Sequence, residues 1–342
     1  CQGMPKSLLI MSKPSKEALL AEFKDRVATA KEHRLADRME LARAEYTQAL
    51  AFAEKHFGAD STQVDTVCLD LALLYSETKE SASELAMLER RVRIRKAEAG
   101  IPQIVDALQD LAECHNLQDR PDDAESTYRQ ALDLCDESIE AHLPALRMAL
   151  LYFGIFLNYR ERHADAIPVF ERSLAVCKLD KDPPTLTAAR TAMHLGEALL
   201  QVKRHEEART IIEAAVPVVT HRGQTPSTTF GKILYYLGNY HQREDRFAEA
   251  ERAYDLAILQ THNARNVSFR NLAYIQQAAA SNDLKLHKPV SAENRLQQSV
   301  RLLLRSQQEE HHPDVLSVKQ DLVNIYIPAK QYAKAEPILD EM

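Results

Sequence analysis

The sequence predicts an all-α fold, an α-solenoid built from about seven to eight antiparallel helical hairpins. Only 8 of the 342 residues are Gly and none is Trp, a composition that suits long helices better than a twisted sheet. An alanine that opens a helix recurs every 42 residues, which indicates a repeat array. Four residues later comes a large side chain and seven residues later a small one, so small, large and small residues share one helical face. The alanines are Ala124, Ala166, Ala208, Ala250 and Ala292; the large residues are Tyr128, Phe170, Ile212, Tyr254 and Leu296; the small ones are Ala131, Ser173, Ala215, Ala257 and Ser299.

A second helix precedes each of these helices. Thirteen residues before the alanine stands a large residue followed by a small one. Two antiparallel helices approach closely only where both carry Gly or Ala, and a large residue then fills the adjoining gap. The connectors between the paired helices are short and polar, and none of them relies on Gly. The pairs are Leu111-Ala112, Phe153-Gly154, Leu195-Gly196 and Leu237-Gly238, and the connectors are residues 160–163, 203–205 and 244–246.

We expect one array over residues 15–342, because a hairpin cannot bury both faces alone and must stack on its neighbours. Its hairpins are expected at approximately residues 15–58, 61–99, 101–138, 141–179, 183–221, 226–263, 266–307 and 313–342. Residues 1–14 are expected to be a tail, an anchor or a remnant of an expression vector, since Met4 and Met11 are both candidate starts. The helix after Ala335 is short, so the array is expected to continue beyond Met342.

This pattern resembles the tetratricopeptide repeat over nearly the whole chain. The usual unit has about 34 residues, and the longer period here is similar to that of the kinesin-light-chain subgroup. Residues 311–315 (His-His-Pro-Asp-Val) match the connecting loop of that subgroup, and residues 335–337 (Ala-Glu-Pro) and 57–60 (Phe-Gly-Ala-Asp) echo it. Tyr46 and Ala49 repeat the large-then-small spacing in the first hairpin. The resemblance implies a right-handed superhelix that acts as a non-catalytic protein-binding scaffold.

The resemblance also implies that the first helix of each hairpin lines a concave groove. The groove positions carry Asn, Gln, Arg and Tyr side chains, which are the types that bind an extended peptide. The alternative is that these polar side chains simply face solvent. We expect an acidic or mixed-charge peptide in the groove. The candidate peptide-binding residues are Arg190, Glu197, Gln201, Lys232, Tyr235, Asn239, Gln242, Arg243, Arg270, Tyr274 and Gln277.

Three features depart from the regular repeat. Glu84 stands where alanine is expected, and the same helix ends in a basic run over residues 90–96, which we interpret as a solvated face. The Leu272-Ala273 pair predicts an enlarged connector from Ser281 to Val290, seven residues longer than its siblings. The groove of the first hairpins is more apolar and is expected to take an amphipathic helix or to face a tighter turn. Its residues are Leu69, Leu73, Met148, Leu151 and Ile155.

Charge and motifs exclude several classes of function. A net charge of −7 with interspersed acids and bases argues against a nucleic-acid partner. No apolar run is long enough to insert in a membrane. The sequence has no GxGxxG, P-loop, GxSxG or HExxH motif, so we expect no enzyme, no cofactor and no metal site.

The cysteines are compatible with two cellular locations, the cytoplasm and the periplasm. Cys68, Cys114, Cys135 and Cys177 lie among apolar residues, and as free buried thiols they favour the cytoplasm. Cys1 is a candidate lipidation site, because a lipoprotein begins with cysteine after its signal peptide is removed. That alternative predicts a lipid-anchored, periplasm-facing envelope assembly factor. A further alternative is the sensor or targeting arm of a larger multidomain protein.

Overall fold

A computed structural model of the chain describes residues 15–137, 139–179, 186–221, 225–306, 309 and 312–341. Over these residues the protein forms sixteen α-helices and no β-strand, so the predicted all-α class is confirmed. The helices are α1 (Lys16–Leu35), α2 (Met39–Phe57), α3 (Thr62–Glu77), α4 (Ser81–Glu98), α5 (Ile101–Leu117), α6 (Pro121–Asp136), α7 (Leu143–Tyr159), α8 (His163–Leu179), α9 (Leu186–Gln201), α10 (His205–Val219), α11 (Thr228–Arg243), α12 (Phe247–His262), α13 (Phe269–Lys285), α14 (Pro289–Arg305), α15 (Pro313–Tyr326) and α16 (Tyr332–Glu341).

The chain divides into two compact units, an N-terminal unit that ends at Tyr152 and a C-terminal unit that begins at Phe153. In the N-terminal unit α1 packs on α2, α3 on α4 and α5 on α6, and these hairpins stack through α2 on α3 and α4 on α5. In the C-terminal unit the pairs are α9 with α10, α11 with α12, α13 with α14 and α15 with α16. Each unit therefore repeats one helical hairpin, which buries its apolar face against the next.

The connectors share a backbone conformation that the sequence pattern did not reveal. In each, one residue adopts the left-handed region with φ between 55 and 65°. The residue after it donates its N–H back across the last helical turn, as Arg204 does to Leu199 and Arg246 to His241, both at 2.9 Å. This arrangement ends a helix with its last carbonyl groups hydrogen-bonded. Its left-handed residues are Asp37, Lys79, Asp119, Glu161, Lys203, Asp245, His287 and Lys330, none of them Gly.

Glycines in the C-terminal unit receive the large side chain of the partner helix, as the sequence pattern predicts. A Cβ built on Gly196 would lie 2.2 Å from Cγ1 of Ile212, and one on Gly154 would lie 2.4 Å from the ring of Phe170. Gly238 faces Tyr254 in the same way, at 2.6 Å. The large residue of the partner helix thus occupies the space that a side chain at the glycine position would need.

The enlarged connector predicted from Ser281 to Val290 is wrong. Helix α13 continues to Lys285 and α14 begins at Pro289, so the connector has the ordinary length. The pair equivalent to Leu195-Gly196 is Ala279-Ala280, thirteen residues before Ala292, and both alanines are buried. The register was misplaced by two helical turns because this repeat carries two small residues instead of a large one and a small one.

The basic run of α4 is not a solvated face throughout. Arg91 is 2% exposed and is enclosed by three carboxylates from α3 and α5. Its guanidinium lies 3.5 Å from Asp65 and 3.0 Å from Asp106, and it also meets Asp110. Burial raises the pKa of Asp110, although Arg91 opposes the rise. The run therefore contains a buried cation held by paired charges.

Cys68 and Cys114 are free thiols, and both are buried, as is Cys135. Burial raises the pKa of the Cys68 thiol to about 11 and that of Cys114 to about 12, so these thiols stay protonated at neutral pH. Cys1, the candidate lipidation site, lies outside the described residues, as do Met4, Met11 and Met342. Across the part of the chain that the structure describes, no helix is both long enough and apolar enough to cross a membrane.

Candidate peptide-binding groove

The first helix of each hairpin in the C-terminal unit carries the candidate groove residues. Two of these helices, α9 and α11, are joined by an ion pair. Glu197 is 8% exposed and lies 3.2 Å from the ammonium of Lys232 and 3.6 Å from Nδ1 of His194. Burial acts to raise the pKa of Glu197, but the contacts with His194 and Lys232 outweigh it and hold the pKa below its usual range. Burial likewise opposes the charge on Lys232, yet Glu197 raises its pKa. Both groups are charged and satisfy each other.

Helix α11 is tied to α12 and α13 by amide side chains. The single hydroxyl hydrogen of Tyr254 is shared between Oδ1 of Asn239, 2.7 Å from the hydroxyl oxygen, and Oε1 of Gln242, at 3.0 Å. The Nε2 group of Gln242 then donates to the Ser281 hydroxyl at 3.3 Å. Asn239 therefore positions a core tyrosine, and Gln242 spans from that tyrosine to the next first helix.

Between α13 and α15 a second network forms. Arg270 donates to the Tyr274 hydroxyl at 2.8 Å and to Asp314 at 2.9 Å, and that hydroxyl donates to Asp314 at 2.7 Å. Burial and the contact with Asp314 raise the pKa of Tyr274. Gln277 donates its amide to Asp321 at 2.7 Å. These bonds hold the two helices side by side with their polar side chains aligned.

Five of the candidate residues are exposed: Arg190, Gln201, Lys232, Arg243 and Arg270. Among the described residues, no carboxylate lies within ion-pair distance of Arg190 or Arg243. Arg190 lines a cavity of about 350 Å³ together with Arg265. These two candidate guanidinium groups are therefore free to meet an acidic group from outside.

Between α11, α13 and α15 lies a cavity of about 480 Å³. It brings together four of the candidate residues, Tyr235, Gln242, Tyr274 and Gln277. Six further lining residues were not among the predicted site residues: Ala278, Ser281, Leu284, Leu296, Asp321 and Asn324. Ser281 and Leu284 stand two and five residues after Ala279, so the correct alignment of Ala279 with Leu195 was the signal that would have found them.

The apolar groove expected in the first hairpins is only partly exposed. Leu73 is 43% exposed, whereas Leu151 is buried at 3%. Leu69 and Met148 are half-buried. Across the described residues, no group of three His, Cys, Asp or Glu side chains could hold a metal ion.

A family model described as a tetratricopeptide repeat matches residues 103–179. The chain has a tetratricopeptide-repeat fold. No curated protein matches the sequence in a search for relatives.

Solved structures with the same repeat fold are similar to the chain at low sequence identity. A signal transduction ATPase with a tetratricopeptide-repeat sensor, from Pyrococcus horikoshii, is 12% identical with a TM-score of 0.62, over 97% of this chain and 51% of that one. BtubC (BKLC) from P. vanneervenii is 15% identical with a TM-score of 0.53, over 72% of this chain and 94% of that one. A putative kinesin light chain from Podosopora anserina is 12% identical with a TM-score of 0.48, over 58% and 97%. The family match and the two structures with TM-scores above 0.5 confirm the predicted tetratricopeptide-repeat fold.

Proposed function

We propose that the chain is a non-catalytic scaffold that binds an extended segment of a partner protein along the first helices of its C-terminal unit. The tetratricopeptide-repeat fold is a protein-binding scaffold, and the matched family model is a repeat rather than a catalytic domain. The observation that carries the proposal is the cavity between α11, α13 and α15, because it is lined by tyrosine rings and amides. Amides hydrogen-bond a peptide main chain, and rings cover its side chains.

Charges along the same face support a guest of mixed charge. Arg190 and Arg243 are exposed on α9 and α11 and are available to carboxylates. Lys232, by contrast, is matched by Glu197 and contributes less attraction than its type suggests. Free buried thiols support a cytoplasmic setting for this interaction.

A cavity-filling substitution tests the proposal without knowledge of the natural partner. Ser281 lines the cavity and is exposed, so Ser281→Trp is expected to fill the space and leave the core intact. The matched control is Thr210→Trp, at an exposed position of α10, which is the second helix of its hairpin and does not line the proposed groove. The probe is a random peptide library displayed on phage and panned against the parent chain.

The expected result is a set of enriched peptides whose affinity for Ser281→Trp falls about tenfold or more, as loss of a well-packed contact region implies. Their affinity for Thr210→Trp should equal that for the parent, and circular dichroism should show unchanged helicity in both variants. A library that yields no binder, or binders that Ser281→Trp leaves unaffected, contradicts the proposed groove.

A further inference from the structure

The cavity between α11, α13 and α15 contains a single charged lining residue, Asp321. Its carboxylate accepts one hydrogen bond, from the Gln277 amide at 2.7 Å. Among the residues that the structure describes, no Lys, Arg or His lies within ion-pair distance of Asp321. An uncompensated carboxylate in a concave site keeps a negative potential that attracts cations.

Neighbouring charges do not neutralise this carboxylate. Arg270 stands over the Tyr274 ring at 5.6 Å, but it is paired with Asp314 at 2.9 Å, and neither of them lines the cavity. Lys232 is likewise matched by Glu197. The negative charge that faces the cavity therefore belongs to Asp321 alone.

The walls of the cavity suit the body of a long cationic side chain. Tyr235 and Tyr274 contribute aromatic rings, which attract cations placed near them. Leu284 and Leu296 contribute apolar surface, against which an aliphatic stem can lie. Asn324 is exposed at the rim and adds an amide that can accept a hydrogen bond.

We propose that this cavity selects an arginine side chain of the bound segment, with its guanidinium on the Asp321 carboxylate. The proposal rests on the proposed function, since it specifies what the groove recognises. Arginine fits better than lysine because its flat guanidinium stacks on rings and presents several donors, which match the carboxylate and the amide oxygens together. The bound segment would then place acidic residues near Arg190 and Arg243 and its arginine on the α13–α15 side.

A double-substitution experiment tests the pairing. The probe is a phage-selected peptide whose binding Ser281→Trp weakens, synthesised with its arginine or with citrulline, which keeps the shape and removes the charge. The chain is tested as the parent, as Asp321→Asn, and as Asp340→Asn, a control that removes an exposed carboxylate on α16. Affinities are measured by isothermal calorimetry, and melting curves check that each variant is folded.

Selected peptides are expected to contain arginine at one fixed place. Citrulline in the peptide and Asp321→Asn in the chain should each weaken binding about tenfold, the size expected for a charge-assisted hydrogen bond. The two changes together should cost no more than either alone, and Asp340→Asn should have no effect. Selected peptides without arginine, a preference for lysine over arginine, or full affinity of Asp321→Asn would each overturn the arginine site. Those outcomes leave groove binding intact, which the Ser281→Trp result decides separately.

Discussion

One hairpin of the N-terminal unit, α3 with α4, joins its helices with different side chains from those of the C-terminal unit. Where most repeats carry Ala or Ser seven residues after the helix-opening alanine, the hairpin of α3 and α4 carries Arg91, buried among Asp65, Asp106 and Asp110. In the C-terminal unit the corresponding residues are Ser173, Ala215, Ala257 and Ser299, and close approach is set by Gly154, Gly196 and Gly238. Among the described residues, the N-terminal unit has no Gly inside a helix.

This difference shows that one backbone repeat can be stabilised in two physical ways. Gly against a large residue gives shape complementarity, which depends on volume and leaves a periodic trace in the sequence. A buried charge cluster depends on matched charge from three helices, and its net contribution is small even though losing one partner is costly. The two mechanisms therefore fail differently when a single residue is changed.

The largest expected effect is in the C-terminal unit. Gly196→Leu places a side chain where Ile212 already lies, 2.2 Å from the first added carbon, and Ile212 is fully buried. Overpacking on this scale is expected to lower the free energy of unfolding by about 3 kcal/mol or more. Urea unfolding followed by circular dichroism measures the change. Gln201→Leu, at an exposed position of the same helix, is the control and should behave like the parent; equal stability of Gly196→Leu would contradict the packing.

The next effect is in the N-terminal unit. Arg91→Met keeps an unbranched side chain but removes the guanidinium that contacts Asp65, Asp106 and Asp110. Because Asp65 keeps its ion pair with Arg95, the expected cost is about 2 kcal/mol. Adding Asp65→Leu to the same chain should recover part of that loss, because an apolar pair replaces the buried contact of Arg91 with Asp65, while Arg95 loses its carboxylate partner. Arg93→Met, on the exposed side of α4, is the control. Unfolding curves in which the double variant is no more stable than Arg91→Met would show that charge pairing does not hold these helices.

The same contrast explains which parts of the packing the sequence predicts and which it does not. The 42-residue spacing and the Gly–large pairs specify which helices pair, because volume complementarity within a hairpin recurs at fixed positions such as Gly196 and Ile212. The Arg91 cluster and the cavity charge at Asp321 depend on helices of different hairpins meeting in space, and one repeat alone carries no pattern for them. Asp321 was therefore absent from the predicted groove.

The misplaced register of α13 had a limited consequence for a geometric reason. Seven residues are nearly two helical turns, so a shift from Ala279 to Leu272 keeps the same face to within about 20°. Tyr274 and Gln277 were consequently placed on the groove face and do line the cavity. The same shift made the predicted connector too long, and it left Ser281 and Leu284 out of the predicted groove residues.

A smaller effect, present in both units, is sensitivity to mild acid. Burial and neighbouring arginines hold the pKa of His115 and of His241 below the ordinary value of 6.5. Each histidine then binds fewer protons folded than unfolded, so its stabilisation is complete above about pH 6.5 and is lost as the pH falls below it. The loss is up to about 1.4 kcal/mol per pH unit for each histidine.

Melting temperatures measured between about pH 7.5 and pH 5 test this sign. His241→Gln should flatten the pH dependence that arises in the C-terminal unit and leave the contribution of His115. Glu206 affects stability only at lower pH, because hydrogen bonds from Tyr240, Arg209 and Arg246 hold its pKa at about 2. A parent chain whose stability rises between pH 7 and pH 5 would be incompatible with two buried neutral histidines.

The smallest expected effect concerns the connectors, where the residue that adopts the left-handed backbone is Lys in some hairpins and Asp in others. Lys203 has φ 65° in the C-terminal unit and Asp119 has φ 55° in the N-terminal unit. This region is strained for residues with a Cβ, but Asp tolerates it better because its short polar side chain bonds locally. Lys203→Gly should therefore raise the free energy of unfolding by about 0.5–1 kcal/mol, and Asp119→Gly should raise it less. Lys203→Val, with a branched side chain at the same place, should lower stability. Equal gains at the two positions in urea unfolding would mean that side-chain identity does not relieve the strain, and that the connector geometry is set by the backbone hydrogen bonds alone.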